Sequence, residues 1–197
     1  MTCVSKSGKG VTMHDSELMS PREIAVLGVM IALVAAMTLI IVPIPATRGY
    51  FNLGETMIFF AAFVFGRKIA GLSGAIGAGL IDAIVAPYFL PATLIIKFSE
   101  GFVAGTIADA LKKYGNLQAV RAFAVEIGGS IMIIGYFLYE AFILPIGITD
   151  GGGGGGLGAA LIELPWNISQ VLIGGLIAIL LTTGIEKAYP RIADLRS

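Results

Sequence analysis

The feature that most constrains this chain is repetition: apolar runs of membrane-spanning length follow one another with only short polar breaks. They cover residues 24–42, 69–86, 90 to about 111, about 122 to 144 and about 161 to 183, with a shorter run at 55–65. A helix needs ~20 apolar residues to cross the hydrocarbon core of a bilayer, and it must satisfy its backbone groups internally. The reading is an all-α membrane protein, a six-transmembrane-helix bundle. Charge agrees, since only 13% of the 197 residues are charged, against ~25% in an ordinary soluble domain. The mean hydropathy is +0.89. A formal net charge of zero points away from nucleic acid as a partner.

The polar remainder defines the domains: a disordered cytoplasmic leader at 1–20, the bundle at 21–186 and a cytoplasmic tail at 187–197. The single cysteine, Cys3, and the single histidine, His14, both fall in the leader. No disulfide framework and no metal site are therefore expected, and histidine-dependent catalysis within the membrane is excluded. Ser20-Pro21-Arg22-Glu23 reads as a capping box opening the first helix. In that helix Ala32 and Ala36 form a small-xxx-small pair suited to close helix approach. The polar-aromatic loop that follows has a composition suited to folding over a ligand. The 55–65 run is short for a span, so its helix starts within that loop or is sheltered by neighbours. Gly71, Gly74, Gly77 and Gly79 give the third span a close-packing face. Pro165 is expected in the first turn of the sixth. Asp150 and the glycines 151–156 read as a flexible connector; no Lys-Ser/Thr follows to make a phosphate-binding loop.

Six spans put both termini on one side, and the basic residues choose it. Lys6, Lys9, Arg22, Arg67, Lys68, Lys112, Lys113, Arg121, Lys187, Arg191 and Arg196 share that side, while only Arg48 falls in an opposite loop. The positive-inside rule makes both termini cytoplasmic in a multi-pass cell-membrane protein.

Within the fourth span Lys97 and Glu100 sit three residues apart on one helix face. Charges at that depth cost ~2.5–3.5 kcal/mol each on insertion scales, and they mark either a functional site or a structural pair. Counting depth along alternating helices places Lys97 in the outer half of the bundle. Asp82, Tyr136, Glu140, Asn167 and Gln170 fall there too, with Trp166 and Glu163 nearby and Tyr50 and Asn52 in the loop above. Such a set suits a flat, polar, water-soluble small molecule. The aromatic members fit an interfacial belt equally well. Glu100, one turn deeper, reads as the structural partner of Lys97, and Asp109 and Glu126 as structural charges near the inner ends.

The chain resembles the substrate-binding S-components of energy-coupling factor (ECF) vitamin transporters, and the riboflavin group most. The resemblance is carried by Ala32-x-x-x-Ala36, Gly49-Tyr50-Phe51-Asn52-Leu53-Gly54-Glu55, Phe65-Gly66-Arg67, the glycine-rich third span through Asp82, Pro91-Ala92-Thr93-Leu94-Ile95-Ile96-Lys97 and Pro165-Trp166-Asn167. It implies a subunit that binds a vitamin or vitamin precursor from outside for ATP-driven uptake. Riboflavin comes first, with hydroxymethylpyrimidine, pyridoxine and pantothenate also open. It implies docking through Ala32 and Ala36 onto a T-component and two ATPase subunits. The chain itself would then need no cofactor, ATP being used by those partners. A lysine at position 97 matches the family, whereas the six-glycine run is unusual for it. The other readings are a small solitary secondary transporter or channel, and an intramembrane enzyme, for which the paired catalytic groups are missing.

Overall fold

The structure, a computed structural model, describes residues 19–44, 47, 49–144 and 155–190. The leader with Cys3 and His14, the loop residue Arg48, Asp150 with the first four glycines of the run, and Arg191 and Arg196 lie outside the described residues.

Six helices and one small hairpin make up the described chain. They are α1 (Pro21–Thr38), β1 (Val42–Pro43), β2 (Tyr50–Phe51), α2 (Gly54–Val64), α3 (Arg67–Val85), α4 (Leu90–Leu111), α5 (Leu117–Leu138) and α6 (Leu157–Ala188). Four segments are long and apolar enough to cross a membrane: α1, α3, α6, and α5 extended to Ile143 by a π-helical turn, Tyr139–Ile143. Helix α4 has the length, 22 residues, but carries Lys97, Glu100 and Asp109.

The capping box at Ser20 forms as expected, with reciprocal bonds between Ser20 and Glu23. Three boundaries differ from the sequence reading. Helix α1 stops at Thr38 instead of 42, because Pro43 drives Val42 into extended backbone. Val42 and Pro43 then pair antiparallel with Phe51 and Tyr50. Helix α5 starts at Leu117, where the Asn116 side chain caps it by accepting from Gln118 N at 2.9 Å. Helix α6 runs 32 residues, so Pro165 lies well inside it and its C-terminal turn passes the expected boundary at 186.

Lipid tails are as apolar as leucine, so close approach rather than hydrophobicity must hold the helices together. Glycine supplies it. A Cβ on Gly101 would lie 2.6 Å from the Ala70 carbonyl oxygen, and one on Gly77 would lie 2.7 Å from Val34 Cβ. Gly71 and Gly74 bring α3 against the backbone of α4 at Phe98 and Lys97.

Helix α2 governs the shape of the whole. It is apolar on every face, the pattern of a helix with no solvent side, and ten of its eleven residues are buried. It packs among α1, α3, α4 and α6. Eleven residues span only ~16 Å, about half the hydrocarbon thickness. The remaining depth is taken up by the β1–β2 hairpin and by polar side chains of the surrounding helices, with a cavity among them.

Candidate functional site

The cavity lies beyond the N-terminus of α2, at the ends of the bundle where α1, α3 and α5 finish and α4 and α6 begin. Arg67, Lys112, Arg121 and Lys187 stand at the opposite helix ends. All eight side chains singled out from sequence line the cavity: Tyr50, Asn52, Asp82, Lys97, Tyr136, Glu140, Asn167 and Gln170. Thr38, Glu55, Phe89, Met132 and Glu163 complete much of the wall. Trp166 does not join them; it is 42% exposed on the outer face of α6, as an interfacial aromatic would be.

Lys97 is the centre of the floor. Its ammonium donates to Glu100 Oε2 at 3.2 Å and, more closely, to Glu55 Oε1. Gln170 Nε2 donates to the same Glu55 oxygen at 2.9 Å. The Tyr136 ring lies 5.4 Å from Lys97 Nζ. Glu100 is thus a partner, as its i, i+3 spacing suggests, but Glu55 is the nearer one. Glu55 occupies the first turn of α2 and is fully buried. Sequence reasoning missed it as a site residue. The signal was there: a carboxylate opening a short helix that is apolar all round cannot reach water and must find a cation.

A second network runs up one wall. Tyr50 and Thr93 each donate a hydroxyl to Asp82, one to either oxygen. Thr93 spends its proton on Asp82, so the 2.8 Å contact with Tyr136 is donated by the tyrosine. Burial, reinforced by the Asp82 carboxylate, pushes the Tyr50 phenol above its ordinary range and keeps it a donor. Phe89 packs against Tyr88, Tyr136 and Tyr139, with ring centroids 5.1–6.0 Å apart.

The hairpin is fastened over this floor by side chains of α3 and α6. Gly49 N donates to Glu163 Oε1 at 2.9 Å, and Asn52 N donates to Gln170 Oε1 at 2.9 Å. A Cβ on Gly49 would collide with the Glu163 carboxylate, so glycine permits this approach. Asn52 Oδ1 also accepts from the first N–H of α2, that of Gly54, at 2.8 Å. The π-helical turn after α5 sets Glu140 facing inward at 2% exposure, beside the Glu163 carboxyl. Glu163, like Glu55, joins the site only through tertiary packing. The free space is about 40 Å³, far below the ~300 Å³ at which small-molecule pockets begin, so a vitamin-sized molecule fits here only once the hairpin and lining side chains move apart.

Ala32 and Ala36 lie apart from the cavity, both exposed on one face of α1.

A bundle of helices with apolar segments long enough to span a membrane and a polar cavity at one end places the chain among membrane proteins. Comparison with known families makes this specific. Residues 18–187 match the model of the ECF-type riboflavin transporter, S component, family. The chain belongs to that family: it is the S component of an ECF transporter for uptake of a vitamin or vitamin precursor, and not an enzyme. A Pyrococcus woesei protein, described as an uncharacterized protein in the gap 3′ region, is 32% identical over 137 residues, 70% of this chain and 85% of that one. The thiamine precursor transporter HmpT of Lactococcus lactis subsp. cremoris (strain MG1363) is 29% identical over 147 residues, 74% of this chain and 75% of that one.

Proposed function

We propose that the cavity under the hairpin is the vitamin site, that it opens to the outside, and that a riboflavin-like planar heterocycle is its ligand. The observation that carries this is the convergence of Tyr50, Asn52, Asp82, Lys97, Tyr136, Glu140, Asn167 and Gln170 on one cavity in a chain of this family. Tyr136 and Phe89 offer ring faces, and the amides and carboxylates offer hydrogen bonds along the edge. The thiamine precursor carried by the HmpT relative makes a pyrimidine the second ligand to test.

In this reading the chain crosses the bilayer six times, the second crossing being made by the hairpin strand and α2 together, with α2 enclosed by α1, α3, α4 and α6. Both termini are cytoplasmic. Support comes from the basic residues at the helix ends remote from the cavity and the positive-inside rule. The leader at 1–20 and the tail at 187–197 are cytoplasmic extensions of a bundle at 21–186. Ala32 and Ala36 form the face that docks on the T-component, which couples the subunit to two ATPases. Their exposure and small size suit close approach by a partner helix.

The test is to purify the chain from its membrane and identify small molecules that co-purify. Recovery of a flavin or a pyrimidine supports the reading. Recovery of neither, with no binding of added riboflavin or hydroxymethylpyrimidine, overturns it.

A further inference from the structure

Acidic side chains outnumber basic ones around the cavity. Glu55, Asp82, Glu140 and Glu163 line it, and among the described residues Lys97 is the one basic side chain in the lining. That ammonium is already held between Glu55 and Glu100. Among the described residues an incoming anion therefore meets acidic oxygens and no unengaged cation. Two of those oxygens are buried and have no hydrogen-bond partner among the described residues: Glu55 Oε2 and Glu140 Oε2. Their residues are 0% and 2% exposed. A buried carboxyl oxygen without a donor is costly; a proton shared with the adjacent carboxyl, Glu100 beside Glu55 and Glu163 beside Glu140, relieves part of that cost, and an N–H or O–H group brought by a ligand relieves the rest.

We propose that the site selects a neutral or cationic, donor-rich ligand and rejects anionic ones, with Glu140 and Glu55 accepting hydrogen bonds from it. This rests on the vitamin-site reading above and narrows it. Riboflavin, hydroxymethylpyrimidine and pyridoxine carry ring N–H, amino or hydroxyl donors and no carboxylate. Pantothenate carries a carboxylate, and the same electrostatics exclude it. Even if one proton is shared within each adjacent carboxyl pair, the lining keeps its negative balance, and like charges at contact distance repel strongly in a partly desolvated site.

The experiment is calorimetric titration of the purified full chain in detergent with riboflavin, 4-amino-5-hydroxymethyl-2-methylpyrimidine, pyridoxine and pantothenate in turn. At least one of the first three binds, and pantothenate binds at least ~100-fold more weakly than the best of them. Pantothenate binding within 100-fold of the best ligand overturns the charge selection and leaves the vitamin site standing. No binding by any of the four removes the vitamin-site reading, and this inference with it. In Glu140→Gln the preferred ligand weakens and the margin against pantothenate narrows at least tenfold; an unchanged margin removes Glu140 from the selection. Should the variant fail to fold, the wild-type panel still decides the charge question.

Discussion

Replacing Lys97 with methionine removes the one ammonium at the floor of the bundle and keeps nearly the same side-chain length. Its partners make the consequence calculable. Lys97 is 5% exposed at the side chain and Glu55 and Glu100 are 0% exposed, so water cannot replace the lost cation. Two carboxylates are left facing one another in a desolvated space. Removing one partner of a buried pair costs ~3–5 kcal/mol, more than the intact pair contributes, because the cost is an uncompensated charge. The second replacement should therefore repair the first. In Lys97→Met/Glu55→Gln the glutamine can still accept from Gln170, and only Glu100 remains to be neutralised. We expect Lys97→Met to lose at least ~3 kcal/mol and the double variant to regain at least ~1 kcal/mol of it, a coupling typical of residues in contact. The assay is reversible unfolding in mixed micelles followed by Trp166 fluorescence, with all four members of the double-mutant cycle. A Lys97→Met loss under ~1 kcal/mol, or a cycle additive within ~0.5 kcal/mol, refutes the claim that Lys97 neutralises the floor.

Gly49→Ala forces the hairpin off the Glu163 carboxylate; ligand affinity is expected to fall at least tenfold with little change in helix content by circular dichroism, and unchanged affinity would remove the hairpin from the site. Tyr50→Phe deletes the donor to Asp82 and should cost ~1–3 kcal/mol, read by unfolding at neutral pH. The raised pKa of Tyr50 has a definite sign: its stabilisation is fully present below the unfolded value of 10.0 and declines above it. Wild type should thus lose more stability than Tyr50→Phe between pH 10 and about pH 12, and parallel curves would contradict the buried donor. Ala32→Trp or Ala36→Trp places bulk on an exposed face of α1; pull-down of the T-component should be lost while ligand titration is unchanged, and the reverse pattern would show that the docking face lies elsewhere.

Much of the fold was legible because hydrophobic periodicity and charge placement are local properties. Six helices, the capping box at Ser20 and the inward set of polar residues follow from run lengths and from counting depth along alternating helices. Boundaries were harder. Helix α1 ends where the hairpin begins, and that pairing joins Val42 and Pro43 to residues nine and seven positions away. The buried carboxylates show the limit more sharply. The spacing of Lys97 and Glu100 is visible in one helix, whereas Glu55 reaches Lys97 across 42 residues of chain and Glu163 reaches Gly49 across 114. No periodicity connects such residues, because only packing brings them together.

The short second run contained more than its length suggested. A helix of eleven residues that is apolar on every side can be stable only if its neighbours enclose it, and its brevity then leaves half the bundle's depth along its axis to the hairpin and to polar side chains. The chain entering that helix must descend from the bundle surface to mid-depth, which is the path the hairpin and Asn52 follow. Glu55, in the first turn, is held at the bottom of this descent and supplies the counter-charge that lets α4 carry Lys97. The cavity, its lid and its buried ion pair are therefore consequences of one feature. Lengthening α2 at its N-terminus by a single turn, with three or four apolar residues inserted before Gly54, should fill the cavity. Ligand binding should then be abolished while the bundle stays folded and retains its assembly face. Titration of the insertion variant checks this, and retained affinity would show that the space under the hairpin is not where the ligand sits.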